Sequence, residues 1–426
     1  MSTPLKALAL PVYIPSLIFA MGYGAIAPVM ILAALQIGFS EAQSSAAVGV
    51  VGLVGVIASP PLGRLITRIG DRAALVSAGL LTAVALLISI ASIAVGTAPF
   101  ARTAFVLALT CIAIGSSVWH LGRQAYVAES VPVAWRARGL STLGGMGRLG
   151  DLIGPALSTI LVGVWFLGSA FWLAFATTLL ATLMVIVFLV PTTLPDGGAA
   201  RPGTQPATAR GGGGSGAEAA AVGTIDERVI PSPFATAVMG IGLNALSVLR
   251  ANRAVIVPLW GAFLGVDARV ITATFAASAL VDSVMFIASG GLMDRYGRLA
   301  ALLPAMLVMP AGIVIMLLWQ TVPGFVVGAM VVGLGNGFGA GVVMTTGADL
   351  SPTHRRADFL GIWAAIVKTG TAAGPFIAAG MTHWVGVSGA LWATAGIGVA
   401  GAVWLAALIK PAYGRLGIDL KGRPLG

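Results

Sequence analysis

Apolar residues in this chain fall in long unbroken stretches separated by short polar segments. Stretches near the ~20 residues that cross ~30 Å of hydrocarbon lie at 8–34, 44–62, 74–95, 103–127, 139–165 and 169–191. Six more lie at 235–264, 270–291, 299–319, 324–348, 359–381 and 388–409. Unpaired backbone polar groups are intolerable in lipid and these runs are too long for barrel strands, so the pattern predicts twelve membrane-spanning helices. The long break, "PDGGAARPGTQPATARGGGGSGAEAAAVGTIDERV" at 195–229, has too few bulky side chains to offset its ordering entropy and reads as a disordered linker. The expected layout is a six-helix half at 1–194, a cytoplasmic linker at 195–234, a second six-helix half at 235–410 and a cytoplasmic tail at 411–426.

The polar interruptions repeat between the halves. "GRLITRIGD" from Gly63 aligns with "GGLMDRYGR" from Gly290, "AESVPVAWRARG" from Ala128 with "ADLSPTHRRADF" from Ala348, and "GDLIGP" from Gly150 with "GTAAGP" from Gly370. Three correspondences in one order imply two parallel repeats, a construction in which sites are expected near the midplane between the halves.

Composition removes the soluble classes: 58% hydrophobic and 9% charged residues leave no room for a globular enzyme. The net charge of +10 adds orientation. With a cytoplasmic N-terminus, the loop lysines and arginines gather on the inside, and only Arg102 and Arg269 fall outside. The excess is thus a topology signal in a cell membrane, both termini cytoplasmic, with the lipid bilayer as surroundings and no call for nucleic acid. The single cysteine, Cys111, and the scattered His120, His354 and His383 give no metal site. No Walker sequence is present, so an ATP-driven pump is not expected, nor any cofactor.

On these residues the chain resembles the major facilitator superfamily over essentially its whole length. Gly290, Leu292, Asp294, Arg295, Gly297 and Arg298 match the family's loop motif between the second and third helices of a half. The first-half copy keeps Gly63, Leu65, Arg68 and Gly70, with Thr67 in place of the acid. Gly150, Gly154 and Pro155 resemble the fifth-helix motif of the drug/proton antiporters, although Ser158 and Thr159 replace its last glycines and Cys111 stands where the fourth-helix arginine would be. The resemblance implies a major facilitator fold, alternating access, and gating roles for these motif residues. Asp294 is expected to meet a helix N-terminus of the other half, by symmetry near Arg138, while uncharged Thr67 can only cap.

Charges inside spans carry the most information, because each costs at least ~2.5–3.5 kcal/mol at the bilayer centre. Arg123, near a helix end, and His120 one turn deeper read as structural. Arg148 and Lys368 occupy equivalent positions of the two repeats, and Arg250 and Arg253 lie one turn apart in the seventh helix. Facing these cations are only Asp151 and Asp282. Internal pairing is one reading, Arg148 with Asp151 at i,i+3 and Asp282 with Arg250 or Arg253. The surplus of cations favours another, in which Arg148, Arg250, Arg253, Lys368, Tyr23 and Asn336 bind substrate and Asp151 and Asp282 carry protons.

The expected function is therefore secondary transport by a monomer with a small-molecule substrate and protons as partners. Export of a small amphipathic or anionic organic compound heads the list, followed by proton-coupled uptake of an organic anion. A non-transporting membrane sensor or scaffold is the reading from another class.

Overall fold

The computed structural model describes residues 4–190, 230, 232–339, 341–352 and 356–423; the linker segment 195–229 and His354 lie outside the described residues. Within them, twelve helices are long and apolar enough to cross a membrane: α1 (Ala9–Ile26), α2 (Glu41–Ile69), α3 (Asp71–Val95), α4 (Pro99–Ser130), α5 (Arg138–Val164), α6 (Ser169–Phe188), α7 (Pro233–Phe263), α8 (Ala268–Tyr296), α9 (Leu299–Leu318), α10 (Val322–Leu350), α11 (Phe359–Val385) and α12 (Val387–Gly414). Each expected run holds one of them. An even number of crossings returns the chain to its starting side, called here the terminal face.

Local chemistry sets several helix ends. A capping box starts α2: the Ser40 hydroxyl accepts from Gln43 N and the Gln43 side chain accepts from Ser40 N. Ser232 and Thr321 cap α7 and α10 through the hydroxyl alone, which accepts from Ala235 N and Gly324 N. The tight turns from α2 to α3 and from α8 to α9 each pass through a glycine with positive φ, Gly70 at 83° and Gly297 at 92°, which a side chain would strain.

Two spans are broken in ways that hydropathy does not reveal. The first run continues beyond α1 as a separate helix, Val29–Gln36, because Pro28 cannot donate to the preceding turn. In α10, Val322–Phe338 ends at Gly339 and a second helix, Val342–Leu350, begins after Gly341 at φ 78°. The carbonyls freed at that break need donors.

The repeats build the same packing twice. In the first half α1 packs on α5 and α6, α4 on α2 and α3, and α3 on α6; in the second, α7 packs on α11 and α12, α10 on α8 and α9, and α9 on α12. Close approach needs the motif glycines. A Cβ on Gly150 or Gly154 would press into the α1 backbone at Ala20, Met21 and Ala25, and one on Gly370 or Gly374 into the α7 backbone at Asn244 and Val248. Gly150, Gly154 and Pro155, expected as gating positions, therefore sit inside the first bundle and fix the α1–α5 spacing.

Among the described residues, two pairs, α2 with α11 and α5 with α8, make the extensive contacts between the halves. Their close approaches lie away from the terminal face: Gly49 meets the Phe376 ring, Gly52 the Thr371 carbonyl, and Gly163 the Arg269 side chain. Toward the terminal face Gly63, Gly144, Gly145, Gly147, Gly290, Gly291 and Gly361 have nothing in front of them. The two bundles thus diverge toward the terminal face and enclose a cavity open on that side. At the opposite face Trp165, Trp319 and Trp384 stand exposed at helix ends, as interface anchors do.

Candidate functional site

Polar side chains exposed at mid-span cannot face hydrocarbon, so Asp151, His120 and Lys368, all exposed, line the open cavity. Around them lies one electrostatically connected tract. Asp151 is within electrostatic range of Arg148, Asp282, Arg123 and Arg253, and of Tyr23 on α1; Arg250 is within range of Asp282 and Arg148. Residues from both repeats therefore share one field.

On the second-half side the groups are bonded to one another. Arg253 Nη1 meets Asp282 Oδ2 at 2.9 Å, and Arg253 Nη2 donates to Ser278 Oγ at 3.2 Å. The Asn336 amide also donates to Asp282 Oδ2, at 2.6 Å, while Asp282 Oδ1 is buried with no hydrogen-bond partner among the described residues. Between the two partners that the spacing allows, Asp282 takes Arg253. Arg250 instead donates to the Asn336 carbonyl at 3.1 Å, and Ser289 Oγ to the Phe338 carbonyl at 2.6 Å. These are carbonyls released by the α10 break, so Arg250, expected at the substrate, is occupied in closing a helix end.

The first-half side differs. Arg148 does not pair with Asp151: its guanidinium lies 3.8 Å from the Phe286 ring centroid on α8. Arg123 is tied to backbone, donating to the Trp119 carbonyl at 2.7 Å and the Ser16 carbonyl at 3.3 Å, beside the Phe19–Trp119 stack. His120, expected to be structural like Arg123, instead faces the cavity within electrostatic range of Lys368. Neither Arg148 nor Lys368 has an ion-pair partner among the described residues.

The loop motif is organised around residues that sequence reasoning passed over. Arg298 Nε and Nη2 donate to Asp349 at 2.8 and 3.1 Å, and the Tyr413 hydroxyl donates to the same carboxylate at 3.1 Å. The Asp349 hydrogen bond holds Arg298 still more firmly in its charged form. Arg298 N also donates to the Leu420 carbonyl at 2.8 Å, fastening the tail beneath Gly297. Asp349 stands in the repeated "ADLSP" and Tyr413 at the end of α12, but only folding brings them together.

Asp294 and Arg295 are exposed at the open mouth, with Arg295 5.2 Å from the Tyr296 ring centroid. The expected partner for Asp294 is displaced, because the helix containing Arg138 starts at Val133 and Arg138 lies within it, 5.0 Å from the Trp135 ring centroid. Thr67 caps no neighbouring helix; its hydroxyl donates back to the Gly63 and Arg64 carbonyls. Gly63 and Gly70 sit in open space, and Arg68 in the last turn of α2 is exposed. Among the described residues no cluster of histidine, cysteine and acids could hold a metal.

A model of the Major Facilitator Superfamily matches residues 12–266 and 239–417. No curated protein matches. Among solved structures the chain is similar to a POT family transporter in complex with 5-aminolevulinic acid, with TM-score 0.72, 11% identity and 96% of each chain covered. A POT family transporter in complex with a thioalcohol-conjugated peptide gives TM-score 0.73 at 11% identity, again with 96% of each chain covered. The human organic anion transporter MFSD10 gives TM-score 0.61 at 14% identity, covering 95% of this chain and 100% of that one. At such identities the likeness concerns the fold, and it does not single out the drug antiporters.

Proposed function

The chain belongs to the Major Facilitator Superfamily, and from that premise we propose that it exports a small amphipathic or anionic organic compound by alternating access, driven by protons. One observation carries the anionic preference: Arg148 and Lys368, at matching positions of the two repeats, reach the cavity without a carboxylate partner. A cation kept at mid-span against its desolvation cost is satisfied most directly by charge on the cargo. Asp282 and Asp151 are the proton carriers in this reading. The partnerless Asp282 Oδ1 offers a seat for a proton while Oδ2 keeps its bonds to Arg253 and Asn336.

Proton-coupled uptake of an organic anion is the second reading, favoured by the fold shared with an organic anion transporter. Proteoliposomes with an imposed pH gradient separate the two. Substrate moving against the proton flow supports export, co-movement supports uptake, and no flux under any gradient across a library of organic anions removes both.

The loop motif supplies a second test. With the terminal face taken as cytoplasmic, the described conformation is inward-open, and Asp294 is free for a role in the closed state. A carboxylate facing a helix N-terminus contributes ~0.3–1 kcal/mol when exposed and up to ~2 kcal/mol when partly buried. Asp294→Asn is expected to favour the inward-open form and lower transport several-fold, with Thr67→Ala doing much less. Labelling of single-cysteine reporters from each side in a Cys111→Ala background measures the shift. Equal effects of the two changes would leave the motif with topology alone.

A further inference from the structure

The two halves match in backbone but not in what fills the space beside their mid-span cations. In repeat register from Gly63 and Gly290, Asp282 corresponds to Gly55 and Phe286 to Ser59. From Ala128 and Ala348, Asn336 corresponds to Ser116. The side that holds Arg148 is therefore filled by Phe286, Asp282 and Asn336. On the side that holds Lys368 the corresponding positions are glycine and serine.

The geometry of that second side is specific. The backbones of α2 and α11 touch at Gly52 and Thr371, which closes the cavity toward the far face. One turn nearer the mouth come Lys368 on α11 and Gly55 on α2, and a Cβ on Gly55 would meet only Ser117 Oγ of α4, at 3.7 Å. His120 follows Ser117 by one turn on the same face of α4 and lies within electrostatic range of Lys368. Gln124 Nε2 lies 3.1 Å from His120 Nε2. Among the described residues no aromatic ring or carboxylate covers the Lys368 ammonium, whereas the Arg148 head is stacked on Phe286.

We propose that Lys368 and His120, facing the vacancy left by Gly55, Ser59 and Ser117, form the subsite that takes an oxyanion group of the cargo, a carboxylate or sulfonate. Arg148 then serves a stacking position at α8, and Arg253 a closed pair with Asp282. The assignment rests on the transport reading for its cargo, but its charge preference can be measured without transport.

A single cysteine at Ser117, in a Cys111→Ala background, reports on the vacancy. Its reaction rates with an anionic sulfonatoethyl and a cationic trimethylammonioethyl methanethiosulfonate are compared with the ratio for a free thiol. The sulfonate reagent is itself an oxyanion probe. It is expected to be favoured at least about fivefold over that ratio, because a nearby cation raises the local concentration of anions. Lys368→Gln is expected to return the ratio to that of the free thiol, Lys368→Arg to keep it, and His120→Ala to reduce it in part. A ratio at the free-thiol value, or one unchanged by Lys368→Gln, overturns the subsite, since the other cavity cations would then account for any preference. The two readings fail separately: a preserved ratio in a protein without flux sinks only transport, and normal flux with a neutral ratio sinks only the subsite.

Discussion

Asp282→Ala is expected to destabilise the protein by about 3–5 kcal/mol, the cost of leaving a buried partner charge uncompensated. The partner is Arg253, whose side chain is 9% exposed against 15% for Asp282. Two further groups lose their acceptor or alignment: the Asn336 amide, and through it the carbonyl that Arg250 closes. In detergent, with tryptophan fluorescence as readout, the midpoint should fall by roughly 3–6 °C. Asp282→Asn should fall less, because the amide oxygen still accepts from Asn336. The informative variant is the double change Asp282→Leu with Arg253→Met, which removes both charges and should regain most of the lost stability. If Asp282 carries the coupling proton, that double variant stays folded and moves no substrate against a pH gradient. Recovery of transport together with stability would assign the pair to structure alone.

The fold was legible because membrane crossing imposes length and hydrophobicity together, and no other element satisfies both in a chain so poor in charge. The same reasoning could not see the breaks at Pro28 and Gly339, since a proline or a glycine cluster inside an apolar run leaves its mean hydropathy almost unchanged. Within the site, depth could be read and direction could not. Arg250 and Arg253 are one turn apart on α7, so each could reach α8 on spacing alone. Packing turns Arg253 toward Asp282 and Arg250 toward the opened end of α10. Arg148 and Asp151 sit three residues apart, yet the longer side chain finds an aromatic face on α8 and leaves its neighbour exposed to the cavity. The importance of Phe286 was invisible, because one phenylalanine in a hydrophobic run carries no mark of facing inward. The vacancy beside Lys368 was hidden for the opposite reason, since it consists of side chains that are not there. Only the repeat register, which pairs Gly55 with Asp282, points to it from the sequence.

Arg148→Ala is expected to cut transport at least about tenfold with expression preserved, equivalent to about 1.4 kcal/mol of lost stabilisation. The guanidinium has two separable contributions. One is its stacking on Phe286 across the α5–α8 contact, worth ~0.5–1 kcal/mol where exposed and ~2 kcal/mol where desolvated. The other is its positive field over Asp151 and the cavity. Phe286→Leu removes the ring and leaves the charge, so it isolates the contact between the halves. Arg148→Lys keeps the charge but gives up the planar face that stacks. If the field is what transport needs, Arg148→Lys and Phe286→Leu each retain more flux than Arg148→Ala. If the contact is what matters, all three fall together, because α5 and α8 then lose the stacking that joins the halves on this side of the cavity. Flux of a common substrate into or out of proteoliposomes, normalised to reconstituted protein, distinguishes these outcomes. Wild-type flux in Arg148→Ala would remove the residue from both roles.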